Sequence, residues 1–188
     1  MAGELDGRRI AFLTANEGVE QVELTEPWQA VRDAGGQPVL LAPDAGPVQA
    51  FNHLDKGDVF TAELAVADAD PADYDALVLP GGVANPDQLR TEPKAVNFVH
   101  RFAESGRTVA VICHGPWTMI DAGVVDGRHL TSWPSVRTDL VRAGARWSDE
   151  PVVIDGNFVS SRNPDDLPQF CAALVEQVAA AGQTAAQN

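Results

Sequence analysis

The stretch Thr108–Trp117, TVAVICHGPW, decides the fold. Thr108 to Ile112 form an apolar, β-branched run that reads as a buried strand, and Cys113-His114 ends it. Gly115-Pro116 then open a helix, because proline in a first helical turn gives up no hydrogen bond. A buried strand that passes straight into a helix is the repeating unit of a parallel sheet.

Outward from this unit the same alternation recurs. Arg9–Thr14 reads as a first strand, VELTEPWQAVRDAGG as a helix stopped by Gly35-Gly36, and PVLLAP as a second strand. GPVQAFNHLDKGDVFTAEL reads as a hairpin or side excursion turning around Lys56-Gly57. YDALVLPGG gives another apolar strand, and DQLRTEPKAVNFVHRFAESG a helix with Val96, Val99 and Phe102 near helical spacing. After the opening stretch come helices in GPWTMIDAGVV and DLVRAGAR, a hairpin around Asp155-Gly156, and a last helix from about Asp166. This order predicts an α/β fold: a mostly parallel sheet with helices on both faces. One domain over 1–188 is expected, with a tail from about residue 182 expected to fray.

In such sheets chemistry collects where the strands end, because loops converge there and helix N-termini point into the crevice. Three strand ends matter: the one leading to NEGVEQVE, the one delivering Pro80-Gly81-Gly82, and the one delivering Cys113-His114. A cysteine at the positive end of a helix is expected to favour thiolate, hence a nucleophile. Gly82 lets a backbone approach closely, and its N–H together with that of His114 suits an oxyanion. Trp117, just after the turn, is expected to wall the pocket. Among the acids of the first loop, spacing alone leaves Glu17, Glu20 and Glu23 as rivals. Cys171 lies among Leu167, Phe170, Leu174, Val175 and Val178, the spacing of a helix stripe facing the core.

Composition narrows the partners. The 188 residues are 45% hydrophobic and 21% charged, with a formal charge of −14, which repels phosphate backbones and anionic lipid; no cluster of Lys or Arg offsets it. Neither nucleic acid nor membrane is expected as a partner. The opening MAGELDGRRI has no apolar signal core and no run approaches the roughly 20 apolar residues of a span, so a cytoplasmic location is expected. Two cysteines and four scattered histidines suggest free thiols, with no metal site and no cofactor.

VLPGG, AVICHGPW, EQVEL and VVIDGNFVSSRNPDDLP, in that pattern over nearly the whole chain, resemble the PfpI-like branch of the ThiJ/PfpI superfamily. The resemblance implies a flavodoxin-like three-layer sandwich, related to class I glutamine amidotransferases. It implies a nucleophilic Cys113 with His114 beside it. A glutamate next to the sulfur falls by motif on Glu20. It also implies an acid at a subunit interface, matched by Asp87, and hence a homo-oligomer. Trp117 departs from the glutamine common after CHGP in relatives. The activities implied are hydrolysis of peptide or amide bonds and glyoxalase or deglycase chemistry on reactive aldehydes and glycated adducts. A non-enzymatic stress sensor using oxidation of Cys113 is the alternative. Amidotransferase chemistry itself would need a late H-x-E pair, and the segment Val152–Pro168 has no histidine.

Overall fold

A computed structural model describes residues 3–185. The chain runs β1 (Arg9–Leu13), β2 (Glu17–Glu20), α1 (Gln21–Asp33), β3 (Gln37–Ala42), β4 (Gly46–Asn52), β5 (Asp55–Ala62), β6 (Leu64–Ala65) and β7 (Ala76–Leu79). It continues with α2 (Ala84–Leu89), α3 (Pro93–Glu104), β8 (Thr108–Ile112), α4 (Pro116–Asp121), β9 (His129–Leu130), α5 (Arg137–Arg142) and β10 (Arg146–Trp147). The last elements are β11 (Val152–Asp155), β12 (Phe158–Ser161) and α6 (Leu167–Ala185).

Seven strands form one sheet in the order β11-β12-β8-β7-β1-β3-β6. Its pairings are parallel except the β11–β12 hairpin. From β1 the chain winds first toward β3 and β6, then returns to the other side for β7 and β8. The reversal puts a crevice at the carboxyl ends of β1 and β7, where such sheets bind ligands.

Strand periodicity divides the core in two, because neighbouring side chains point to opposite faces. Ala11, Leu13, Leu77, Leu79, Val109 and Val111 face one layer, with Phe98 and Phe102 of α3, Met119 of α4 and Leu140 of α5. Ile10, Phe12, Val78, Ala110 and Ile112 face the other, with Leu24 and Val31 of α1 and Phe170, Leu174 and Val178 of α6. This is the flavodoxin-like three-layer sandwich with helices on both faces.

Some expectations change in detail. Residues 84–104 are two helices because Glu92-Pro93 breaks them: a residue before proline is pushed out of the helical region, and Pro93 starts the second helix. The excursion is a β4–β5 hairpin, but it turns at His53-Leu54, between the paired Asn52 and Asp55, and Lys56-Gly57 lie within β5. His53 takes a positive φ of 59° there. This hairpin pairs with β2 in a separate three-stranded sheet, a strand that sequence periodicity does not predict. At the C-terminus α6 continues to Ala185, past the point where fraying is expected, and the remainder of that tail lies outside the described residues. No helix among the described residues is long and apolar enough to cross a membrane.

Candidate active site

Cys113 follows the last residue of β8 and has φ +64°, a left-handed conformation that costs a side-chain-bearing residue energy. It is held on both sides of the turn: its N–H donates to the Ser161 carbonyl at 3.1 Å, and its carbonyl accepts from Trp133 N–H at 2.9 Å. Strand pairing thus fixes a strained strand-to-helix turn that lifts the thiol into the crevice. Cys113 remains 6% exposed.

The carboxyl beside the sulfur belongs to Glu23. This corrects the motif expectation of Glu20, which lies one turn earlier. Glu23 sits in the third position of α1, on the same stripe as the buried Leu24, Pro27 and Val31, and is itself 0% exposed. Its Oε2 accepts from Gly81 N–H at 2.8 Å. The Cys113 thiol is the side chain within hydrogen-bonding range of the carboxyl, whose Oε1 has no other well-aligned partner. Glu20 instead faces the β4–β5 hairpin. Its carboxylate accepts from His53 N–H at 3.1 Å, with His53 Nδ1 at 3.9 Å.

Burial pushes the Glu23 carboxyl up to about 8, against the hydrogen bonds from Cys113 and Gly81 that pull it down. Burial likewise pushes the Cys113 thiol far above its ordinary range, and the neighbouring Glu23 pushes in the same direction. The Gly82 and His114 N–H groups reach the sulfur and favour the thiolate, but they do not outweigh desolvation. Burial and the acid opposite thus work against the thiolate that a place at a helix start favours. The six-residue α4 is short, and a buried acid stands opposite. Gly82 has φ +82°, and a Cβ there would lie 2.3 Å from the Gly18 carbonyl oxygen, so only glycine brings this N–H so close to the sulfur.

His114 is 7% exposed, with Nδ1 at 3.1 Å from Cys113 Sγ and Nε2 at 3.4 Å from Ser135 Oγ. Burial lowers its pKa, so the ring is neutral at physiological pH and able either to give or to take a proton. Trp133 stacks on it, with ring centroids 5.7 Å apart.

A cavity of about 820 Å³ opens over Cys113, His114 and Glu23. Its aromatic wall is Trp133, which no sequence signal singled out, together with Phe51 and the hairpin tip His53-Leu54. Trp117, expected as the wall, is not among the lining residues. Its indole N–H donates to Asp139 Oδ2 at 2.9 Å, Arg90 covers its ring, and it touches His114 from outside the cavity. Asp87, on α2, stands at the cavity mouth. A further residue that sequence reading missed is Asn85, 1% exposed. Its Oδ1 accepts from Ala15 N–H at 2.7 Å and its amide donates to the Pro80 and Gly81 carbonyls, tying the ends of β1 and β7 together. A buried asparagine shortly after a strand end was the available signal.

A doubly wound sheet that offers a cysteine on a strained turn, backed by a buried acid, defines a cysteine-centred α/β protein with the architecture of a nucleophile elbow. The chain belongs to the DJ-1/PfpI family, whose family model matches residues 8–177. It is 40% identical over 168 residues to a protein of Pyrococcus horikoshii named as a deglycase, covering 89% of this chain and 98% of that one. Among solved structures it resembles an Anabaena variabilis protein with a DJ-1/ThiJ/PfpI-like and a ferritin-like domain. That match has a TM-score of 0.85 and 31% identity over 91% of this chain, which spans only 50% of the two-domain protein. Drosophila melanogaster DJ-1beta matches with a TM-score of 0.80 and 25% identity, over 92% of this chain and 90% of that one.

Proposed function

We propose that this protein is a cysteine-dependent enzyme of the glyoxalase or deglycase kind, acting on reactive dicarbonyl aldehydes and the adducts they form. The observation that carries the reading is the Glu23 carboxyl, wholly buried against the Cys113 thiol beneath an open cavity. A carboxyl raised to about 8 exchanges protons near neutral pH, which suits an acid–base group. The deglycase name of the Pyrococcus horikoshii relative supports the same chemistry.

As a carboxylate, Glu23 takes the thiol proton while Cys113 Sγ attacks the aldehyde carbon. The carbon–sulfur bond forms, and the carbonyl π pair moves onto oxygen, which the Gly82 and His114 N–H groups hold. The proton on Glu23 then passes to that oxygen, which completes the hemithioacetal and restores the Glu23 carboxylate. With methylglyoxal, the hydrogen on the former aldehyde carbon then leaves as a proton to Glu23 and is returned to the neighbouring carbon through an enediol. This oxidises one carbon at the expense of the other and leaves a lactyl thioester on Cys113. Water hydrolyses the thioester and restores the thiol, so methylglyoxal plus water becomes lactate with no external oxidant. An adduct carried on another thiol releases that thiol as well. The same reading takes the chain as a cytoplasmic homo-oligomer in which Asp87 of one copy approaches His114 of another.

The test is incubation of purified protein with methylglyoxal, a methylglyoxal-treated thiol and a fluorogenic peptide, each beside a Cys113→Ala control. Lactate from the first two, absent in the control, is the expected result. Cysteine-dependent cleavage of the peptide alone would replace this reading with that of an intracellular protease. Fully active protein sedimenting as a monomer would rule out a role for Asp87 across an interface.

A further inference from the structure

The cavity over Cys113 is much larger than a three-carbon aldehyde requires, and its volume of about 820 Å³ is in the range of sites that enclose a drug-sized ligand. The reacting carbonyl is therefore expected to arrive attached to something that fills the remainder. The charges lining that space are of one sign. Glu17 and Glu20, three residues apart, descend from the mouth, Glu17 exposed and Glu20 8% exposed, toward Glu23 at the floor, which is 0% exposed and, with its carboxyl raised to about 8, adds little fixed charge near neutral pH. Asp87 faces them across the mouth.

Nothing in the wall compensates them. No lysine or arginine lines the cavity among the described residues, and neither Glu17 nor Asp87 has an ion-pair partner there. Glu20 has only His53, whose ring nitrogen stands 3.9 Å away on a side chain 88% exposed. At the floor, Glu23 Oε1 is buried with no well-aligned partner besides the Cys113 thiol. Trp133 adds an aromatic face, which attracts cations through its quadrupole. A cleft lined by one sign of charge with low-dielectric walls concentrates ions of the other sign.

We infer that this cavity selects substrates whose carrier, the portion beyond the reacting carbonyl, is positively charged, and that it turns away anionic carriers such as carboxylate-bearing thiols or nucleotides. The inference rests on the proposed aldehyde chemistry for its reaction, but the charge selection itself is a property of access to Cys113 and is measurable apart from turnover.

Two methanethiosulfonates of opposite charge measure it. With trimethylammonioethyl or sulfonatoethyl methanethiosulfonate, the Cys113 sulfur attacks the reagent's sulfenyl sulfur, a disulfide forms and methanesulfinate leaves, so the two deliver the same bond. Rates are read at Cys113 by mass spectrometry and divided by those for a free neutral thiol. The expected cation-to-anion ratio is at least about tenfold above the free thiol at low ionic strength, collapsing as added salt shortens the Debye length. Glu17→Lys, a reversal at an exposed position, lowers the ratio several-fold. A normalised ratio near unity, or one that neither salt nor Glu17→Lys moves, overturns the inference.

In parallel, kcat/KM is compared for the methylglyoxal hemithioacetals of thiocholine and of mercaptoacetate, with the cationic adduct expected to be favoured. Turnover of methylglyoxal with level modification ratios refutes the selection and leaves the reaction standing. Skewed modification ratios without any turnover refute the reaction and leave the selection standing.

Discussion

Gly81 and Glu23 are joined at the floor of the cavity, 58 residues apart in sequence, by a hydrogen bond from the glycine N–H to Glu23 Oε2 of 2.8 Å. An amide donor serves either protonation state of a carboxyl, since a carboxylate oxygen and the carbonyl oxygen of the acid both accept. The contact therefore fixes the position of Glu23 without fixing its proton. The proton is left to the side that faces Cys113.

The pH profile should report this. The base form of Glu23 appears as pH rises through about 8, so kcat/KM for methylglyoxal should climb up to about that pH and level off above it. Glu23→Gln should retain the Gly81 contact, lose the climbing limb and lose about 10²–10⁴ in rate, the usual worth of one acid–base group. An unchanged profile in that variant would remove Glu23 from proton transfer.

How much of this was legible beforehand depended on whether a local pattern or the packing set the outcome. The parallel sheet was legible because buried strands and their following helices leave local marks, as in Thr108–Pro116. Cys113, His114 and Gly82 were legible because they stand at strand ends. The choice among Glu17, Glu20 and Glu23 was not legible from spacing: three acids at every third residue all stay near one side of the chain, and the motif reading settled on the wrong one. The usable sign was the helix stripe, since Glu23 precedes Pro27 by four residues and Val31 by eight and so falls on the apolar face, where an acid has to have a reason to be. Trp133 reaches the site through a loop after β9, a relationship between distant segments that no local pattern carries.

Stability should move with pH in the opposite direction to activity. Glu23 has a folded-state pKa of about 8 against the ordinary 4.5, so the folded chain holds a proton that the unfolded chain has released between these values. The contribution is fully present below the ordinary value and is lost as pH rises through about 8. Urea unfolding should therefore show Glu23→Gln gaining on the parent by a few kcal/mol between about pH 5 and pH 9, the scale set by roughly 1.4 kcal/mol per pKa unit. A constant difference across that range would mean that Glu23 titrates normally.

Gly81→Ala tests the packing of the same floor. A Cβ at Gly81 would lie 2.5 Å from Glu23 Oε2, 2.7 Å from Cys113 Cβ and 2.9 Å from the Ile112 carbonyl oxygen. None of these neighbours is a free side-chain end, so strand or turn has to shift. A loss of about 1–3 kcal/mol in unfolding free energy is expected, the ordinary cost of overpacking, together with a fall in kcat larger than any change in KM. Full activity at reduced stability would mean that the Cys113–Glu23 geometry tolerates displacement of its floor.

Glu20→Gln separates the two glutamates that the sequence could not. The amide of that variant would still present an oxygen to His53 N–H, the bond that Glu20 makes at 3.1 Å, so the hairpin tip should stay in place. What disappears is a charge midway down the cavity, one that also raises the Glu23 pKa as a minor contributor beside burial. The expected result is a kcat within about fivefold of the parent, since a group outside the proton path mainly affects binding, with the activity limb shifted slightly toward lower pH. The sign follows from removing a negative neighbour, which makes the Glu23 carboxylate easier to form. Kinetics over the same pH range with both variants decides the matter. A collapse of kcat in Glu20→Gln equal to that in Glu23→Gln would return Glu20 to the chemistry and make its bond to His53 incidental.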